Sequence, residues 1–420
     1  MKKKICMLLS GVLLTTMLFS GCGKKEPEVQ EKKEISSYEE IETSIEINKE
    51  NSLTVWCYEE DDFYYLSEAA KTFYSRYGVA VTVEQRNPTD FLQQVNNAVV
   101  EKKGPDLYLT TNDQLKIAYE AGLAQNNTIF SDTYWERYFP EVTKKALTVG
   151  EKTIGFPLYL DTYFLFYDKT VVSEKPTTLD DVLNFADTFA DEGNEREIFN
   201  FDVSDPYYSF MFMGNYGNFF GENGDNYEEF QVNSADTINS MSYYQAFGEF
   251  LSVEYENSNE EVVLEGLMEE KLIFAIGNTK MYEKIKEGME ETKNNYAITM
   301  LPDLNDTLKS KGISTTTTVV VSPYSKYRQE AELFGAYLAC EYVEAQYSLN
   351  GKISPCKMVE YTDTDLNCII AQYEKTLPAP KVLAVGDFWS QAQIHFQKIW
   401  EGEDVATELN EFQTSIESRQ

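Results

Sequence analysis

Apolar residues along this chain follow two rhythms, and the change from one to the other marks out the elements. "LTVWCY" (Leu53–Tyr58) is a short apolar run suited to a buried strand, "VAVTVEQ" (Val79–Gln85) alternates as a strand does, and "DLYLTT" (Asp106–Thr111) is a third strand. Between the first two, Leu66, Ala69, Ala70, Phe73, Tyr74 and Tyr77 recur at helical spacing, and Gly78 stands where a helix C-cap belongs. Phe91, Leu92, Val95, Ala98 and Val99 form a second helical face, opened by Thr89 or Asp90 as cap. "DQLKIAYEAGL" reads as a third helix ending near Gly122. Strand–helix units of this length predict a parallel sheet with right-handed crossovers.

The later chain keeps the style. "TIGFPLYL" runs into "TYFLFYDK", two apolar runs that can form one strand crossing between lobes. Helices are predicted over Leu179–Phe189, Tyr243–Leu251 and Glu261–Met268, and buried strands at "KLIFAIG", "NYAITMLP" and the β-branched "STTTTVVVS". "QEAELFGAYLACEYV", "FWSQAQIHFQKIWEG" and "DVATELNEFQTSI" are amphipathic helices.

The first apolar run is of another kind. Lys2, Lys3 and Lys4 precede Ile5–Phe19, a run shorter than the roughly twenty residues a spanning helix needs. It reads as the core of an export signal, residues 1–21. Ser20-Gly21-Cys22 resembles a bacterial lipobox, with Phe19 where a leucine is usual, and makes Cys22 a candidate for lipidation. The plain alternative is a cysteine in an ordinary signal peptide. Residues 22–51 are mostly charged or small, and read as a flexible tether that cannot bury enough surface to fold. The expected product is an exported, bacterial lipoprotein anchored to the cell membrane.

About 370 residues remain, enough for two lobes. The net charge of −34 becomes −37 without the three signal lysines, which excludes nucleic acid as a partner. His395 is the only histidine, so histidine-based nucleophile pairs and most zinc sites are excluded, and His395 itself reads as a helix residue. Cys57, Cys340, Cys356 and Cys368 lack a CxxC spacing and read as free, mostly buried thiols in preference to a disulfide. No phosphate-loop, GxSxG or GxGxxG motif occurs, and "DTDLN" at Asp363 lacks the glycine of a calcium loop. No enzyme, cofactor or metal is implied.

In open parallel sheets ligands bind beyond the carboxyl ends of strands. That rule nominates Trp56–Glu60, Thr110–Asp113 and Tyr159–Asp161, which are rich in rings and carboxylates. Carboxylates accept bonds from sugar hydroxyls and rings pack on the C–H face of a pyranose. The same groups suit an amine through cation–π contact.

In order and spacing, "LTVWCYEED", "GPDLYLTTNDQL", "AYEAGL", "IGFPLYLDTYFLFYDK", "DPYYSF", "EEKLIFAIGNTKMY", "NYAITMLPD" and "DFWSQAQ" resemble the maltose-binding-protein type of extracellular solute-binding protein, the receptor of carbohydrate ABC transporters. The resemblance covers roughly residues 52–418. It implies an α/β, two-lobe, type II periplasmic-binding fold with hinge strands, its lobes formed by residues 52–160 with 312–357 and by residues 161–311 with 358–420. It also implies a monomer, an interlobe neutral carbohydrate ligand, expected to be an oligosaccharide with maltodextrin among the candidates, and ABC permease subunits as partners. Carried over by position, Glu60, Asp113, Asp161 and Asp205 are acidic sugar contacts, and Tyr207 and Trp389 are stacking rings. Asp113 can also be a plain helix cap, "DPYY" a plain turn and Trp389 a core residue. The family's usual pattern is broken at Thr110, at "GNTKM" (Lys280, Met281) and at Asp61, so two aromatic platforms are missing. Tyr58, Tyr159 and Tyr208 are the rings available to replace them. Two other functions stay in view: a receptor for a polyamine or other cationic solute on the same fold, and a glycosidase using two of Asp113, Asp161 and Asp205.

Overall fold

A computed structural model describes residues 35–189, 196–251, 253–255, 258–288 and 295–418. The export signal and Cys22 lie outside the described residues. A nine-stranded sheet runs through the body. Its strands are β1 (Ser52–Cys57), β2 (Ala80–Gln85), β3 (Leu107–Thr111), β4 (Phe156–Asp168), β5 (Glu197–Asn200), β6 (Leu272–Asn278), β7 (Tyr296–Thr299), β8 (Ile313–Val321) and β9 (Leu377–Pro378). The order is β2-β1-β3-β8-β4-β6-β5, with β7 also paired to β4 and β9 to β8.

The strand–helix rhythm builds the expected parallel pairs β1–β2 and β1–β3. The helix Glu60–Tyr77 returns the chain between them and ends at Gly78, whose φ of 77° needs a residue without Cβ. The helix Phe91–Val100 begins where its apolar face starts, but Asp90 adopts a left-handed φ of 53° and makes no side-chain cap bond. Neither Thr89 nor Asp90 therefore caps it in the expected way. Where the chain crosses, the sheet is antiparallel: β8 returns against both β3 and β4, and β6 and β7 run against β4.

The thirteen-residue β4 is the single strand expected from the two fused apolar runs. Its first part, through Thr162, pairs with β8, and its second part, from Tyr163, pairs with β6 and β7. One hydrophobic core gathers residues between Tyr38 and Tyr159 and between Val319 and Cys356. A second gathers residues between Tyr163 and Ile313 and between Val382 and Ile416. We call these the first and second halves. Gly155 leads into β4 with φ 74°, and a Cβ there would lie 2.4 Å from the Thr318 hydroxyl. The register against β8 then slips between Thr317 and Thr318 beside Pro157, which has no N–H for the ladder.

The tether expectation needs correction from residue 35 onward. Tyr38–Ser44 is a helix, capped by the Ser37 hydroxyl, and Tyr38 and Ile41 are buried in the first core. Two large apolar side chains three apart give even this charged segment a face to bury. The thiols of Cys57, Cys340, Cys356 and Cys368 are all free, and the first three are buried. Asp363 caps the helix Thr364–Tyr373 instead of opening a calcium loop. No helix among the described residues is long and apolar enough to cross a membrane.

Candidate ligand site

Alternation along β4 puts Tyr159 and Asp161 on one face, just before the strand passes into the second half. Asp161 Oδ1 accepts the Thr279 N–H at 3.2 Å and the Thr279 hydroxyl. Thr279 is delivered by Asn278, which ends β6 and caps the helix Thr279–Glu287 by accepting the Met281 N–H at 3.0 Å. Burial pushes the Asp161 carboxyl up to about 6 against those two bonds, and Glu260 adds to the rise.

Asp205 caps the short helix Pro206–Ser209, accepting the Tyr207 N–H at 2.9 Å, with its side chain at the surface. So "DPYY" is a helix start, and it fixes where Tyr207 points. The Tyr207 ring lies 5.0 Å from Tyr163 in an edge contact, and its hydroxyl is buried without a hydrogen-bond partner. Burial, then the Asp161 charge, push that hydroxyl well above the ordinary tyrosine value. The helix Val385–Trp400 packs on Pro206–Ser209, and its Gln393 amide donates to the Ser204 carbonyl at 3.0 Å. Trp389, one turn earlier, is half-buried against Phe388 at 4.9 Å. Asp161, Asp205, Tyr207 and Trp389 are thus carried by elements packed together in the second half.

Glu60 and Asp113 belong to the first half. Glu60 is exposed in the first turn after β1. Asp113 lies within the turn Asn112–Gln114, accepts the Gln114 amide at 2.8 Å, and does not cap the helix Leu115–Glu120. Its neighbour Asn112 is buried, accepting the Thr316 N–H at 2.8 Å and donating to the Ala379 carbonyl at 2.9 Å.

Among the possible substitute platforms, Tyr208 is 1% exposed and offers no face. Tyr159 is also buried: its hydroxyl donates to Asp62 Oδ2 at 2.9 Å, and the Lys352 ammonium sits 4.3 Å over its ring. Tyr58 alone of the three keeps a partly open ring, set edge-on to Phe91 at 5.1 Å. Of the residues at the missing tryptophan, Met281 is core and Lys280 is exposed, 3.9 Å from Glu260.

Sequence reasoning missed the pair Asp62–Lys352. Lys352 Nζ reaches Asp62 Oδ1 at 2.8 Å, Glu59, and the Tyr159 hydroxyl at 3.1 Å. Burial works against its charge, but Asp62 and Glu59 overcome that and hold the ammonium above the ordinary lysine value. It also missed Lys381, fully buried, whose ammonium donates to the Lys145 and Asn223 carbonyls and is pushed down by burial to about 7. The Asn-Thr start after "KLIFAIG" was a readable cap signal for Thr279. Elsewhere, His395, Glu408 and Glu411 bring ligand atoms within 4.8 Å of one another, but the Lys398 ammonium, 3.0 Å from Glu408, already balances them.

The sequence profile of the bacterial extracellular solute-binding proteins matches residues 58–340. The chain belongs to that family. A galactooligosaccharide-binding protein of Bacillus subtilis (strain 168) is 24% identical over 172 residues, 40% of each chain, so the match spans well under half of that relative's length. An extracellular solute-binding protein from Staphylococcus aureus, solved in complex with maltose, superposes with TM-score 0.80 at 19% identity, over 89% of this chain and 98% of that one. A cyclo/maltodextrin-binding protein complexed with maltotetraose superposes with TM-score 0.78 at 21% identity, over 88% and 97%. This solute-binding protein therefore has the two-lobed α/β fold of those structures, and its family is extracellular and made of binding proteins, not enzymes.

Proposed function

We propose that this solute-binding protein is the lipid-anchored receptor of a carbohydrate ABC transporter, closing on a neutral oligosaccharide between its lobes and delivering it to a membrane permease. The observation that carries the reading is a cluster: Asp161 midway along the shared strand β4, with the unpartnered Tyr207 hydroxyl and the Trp389 ring on neighbouring elements. A desolvated carboxylate, a free hydroxyl and an open ring suit a ligand rich in hydroxyls and C–H faces. Glu60 and Asp113 supply acceptors from the first half, and Asp205 orients Tyr207. The sugar ligands of the similar proteins support the class. Cys22 carries the acyl chains.

A cationic solute is the second reading, favoured by one feature: the Glu260 charge adds to the rise of the Asp161 carboxyl, and Lys280 comes only within 3.9 Å of Glu260. A thermal-shift panel of maltooligosaccharides, galactooligosaccharides and spermidine decides, because binding to the folded state raises the melting temperature. A shift with oligosaccharides alone is expected. A shift with spermidine alone would replace the sugar by a cation.

A further inference from the structure

Residues 35–51 are fastened to three helices of the first half. On Glu60–Tyr77, the Tyr38 and Tyr77 hydroxyls meet at 2.9 Å and Arg76 pairs with Glu42 at 2.8 Å. On Asp132–Tyr138, the Tyr38 N–H donates to the Tyr138 hydroxyl at 3.3 Å, Arg137 donates to the Ser36 carbonyl at 3.3 Å, and the Ser131 hydroxyl donates to the Ile35 carbonyl. On Arg328–Ala336, the buried Glu330 accepts the Asn48 N–H and the Asn51 amide, both at 2.9 Å. Lys49 lies across Gly78, where a Cβ would come within 2.9 Å of its Cδ. With Ile41 wholly buried, this is a strap integral to the first core.

We propose that this strap orients the receptor on the bilayer: the chain from the lipid anchor meets the body at Ile35, beside Ser131 and Arg137, so the first half faces the lipid surface. The inference rests on the anchor at Cys22 proposed above. The thirteen residues from Cys22 to Ile35 reach at most about 45 Å whatever their conformation, at about 3.3–3.6 Å each. A tether running to residue 51 would reach about twice as far and hold the first half far less closely.

Two measurements on the full chain, expressed in a lipidating bacterial host, test this. Limited trypsin on membranes should release a body beginning at Lys33 or Glu34, with Lys49 protected. In Tyr38→Ala/Ile41→Asp the strap is released and cleavage moves to Lys49, at least tenfold faster than in the wild type. In a Cys368→Ser background, a dye on Thr133→Cys should transfer energy to a membrane acceptor at least twofold better than one on Ser242→Cys, and the released-strap variant should lose that difference. Wild-type cleavage at Lys49, or equal transfer from the two labels, overturns the proposal. If the protein is absent from the membrane fraction, the anchor reading fails and takes the orientation with it, while protection of Lys49 in the soluble chain still reports the strap.

Discussion

Asp62 and Asp161 meet the same short stretch of β4. Both are drawn out of water, one bonded to the Tyr159 hydroxyl and the other two residues further along the strand. Asp62 is met by an ammonium, Lys352, at 2.8 Å, and the pair closes the floor of the first half. Asp161 is met by the neutral N–H and hydroxyl of Thr279, and its carboxyl is pushed up to about 6. A buried carboxylate with a full counter-charge is a structural rivet. One with neutral donors and an unused hydroxyl nearby remains available to a ligand. The difference teaches that acidic character alone does not mark a binding carboxylate; its partner does.

The largest effect expected from this contrast is on stability. Lys352→Met strands Asp62 without its cation and should lower the unfolding free energy by about 3 kcal/mol, the cost of breaking a buried pair. Adding Asp62→Asn should restore at least half of it. Urea denaturation of the two variants is the check, and an unstable double variant with a stable single one would reverse the assignment.

Next comes the ring. Trp389→Ala should weaken oligosaccharide binding by about 2.5 kcal/mol, from roughly 100 Å² of apolar contact at about 25 cal/mol per Å², or about seventyfold in Kd. Calorimetry reads it directly. Wild-type affinity in this variant would move the site away from the Val385–Trp400 helix.

The smallest effect carries the most information. Asp161→Asn should cost a neutral sugar about 1 kcal/mol, the gap between a charge-assisted and a neutral hydrogen bond. For a cation the loss should exceed that of Trp389→Ala and shrink with added salt. The carboxyl's folded value, about 6, stands above its ordinary 3.8, so the fold prefers the protonated form. Its contribution to stability is therefore lost as pH rises through 6 and regained as pH falls toward 4. Sugar affinity should run the other way, declining below pH 6 in the wild type and staying flat in Asp161→Asn. Parallel pH titrations of melting temperature and Kd test both signs.

The fold was legible because its signals are local and repeated. The run through Phe156–Asp168 announced a strand too long for one lobe, and Gly78 and Gly122 announced helix ends. Asp161 and Tyr207 were nominated by the strand-end rule and by the family resemblance, and the structure sets Asp161 inside β4 and Tyr207 in a short helix. The strap was not, because a segment rich in Glu and Lys hides two buried side chains, Tyr38 and Ile41, whose partners lie in helices much later in the chain. Lys352 was opaque for the same reason: Asp62 looked like one more acid in a helix's first turn until a residue 290 positions away was placed beside it. Tyr159 and Tyr208 looked like platforms because a ring's exposure is set by tertiary packing, which periodicity does not encode.

The strand order has a consequence for synthesis and export. β8 lies between β3 and β4, yet it is made after both. Until Val321 has emerged, β3 and β4 are left with unpaired edges and the first core cannot close. At the usual 5–20 residues per second, the roughly 150 residues separating β4 from the end of β8 amount to about 8–30 s of incompleteness. The nascent chain thus stays threadable through a translocation channel for as long as the strand between β3 and β4 is missing. The second half, whose core also takes residues between Val382 and Ile416, comes to order only later.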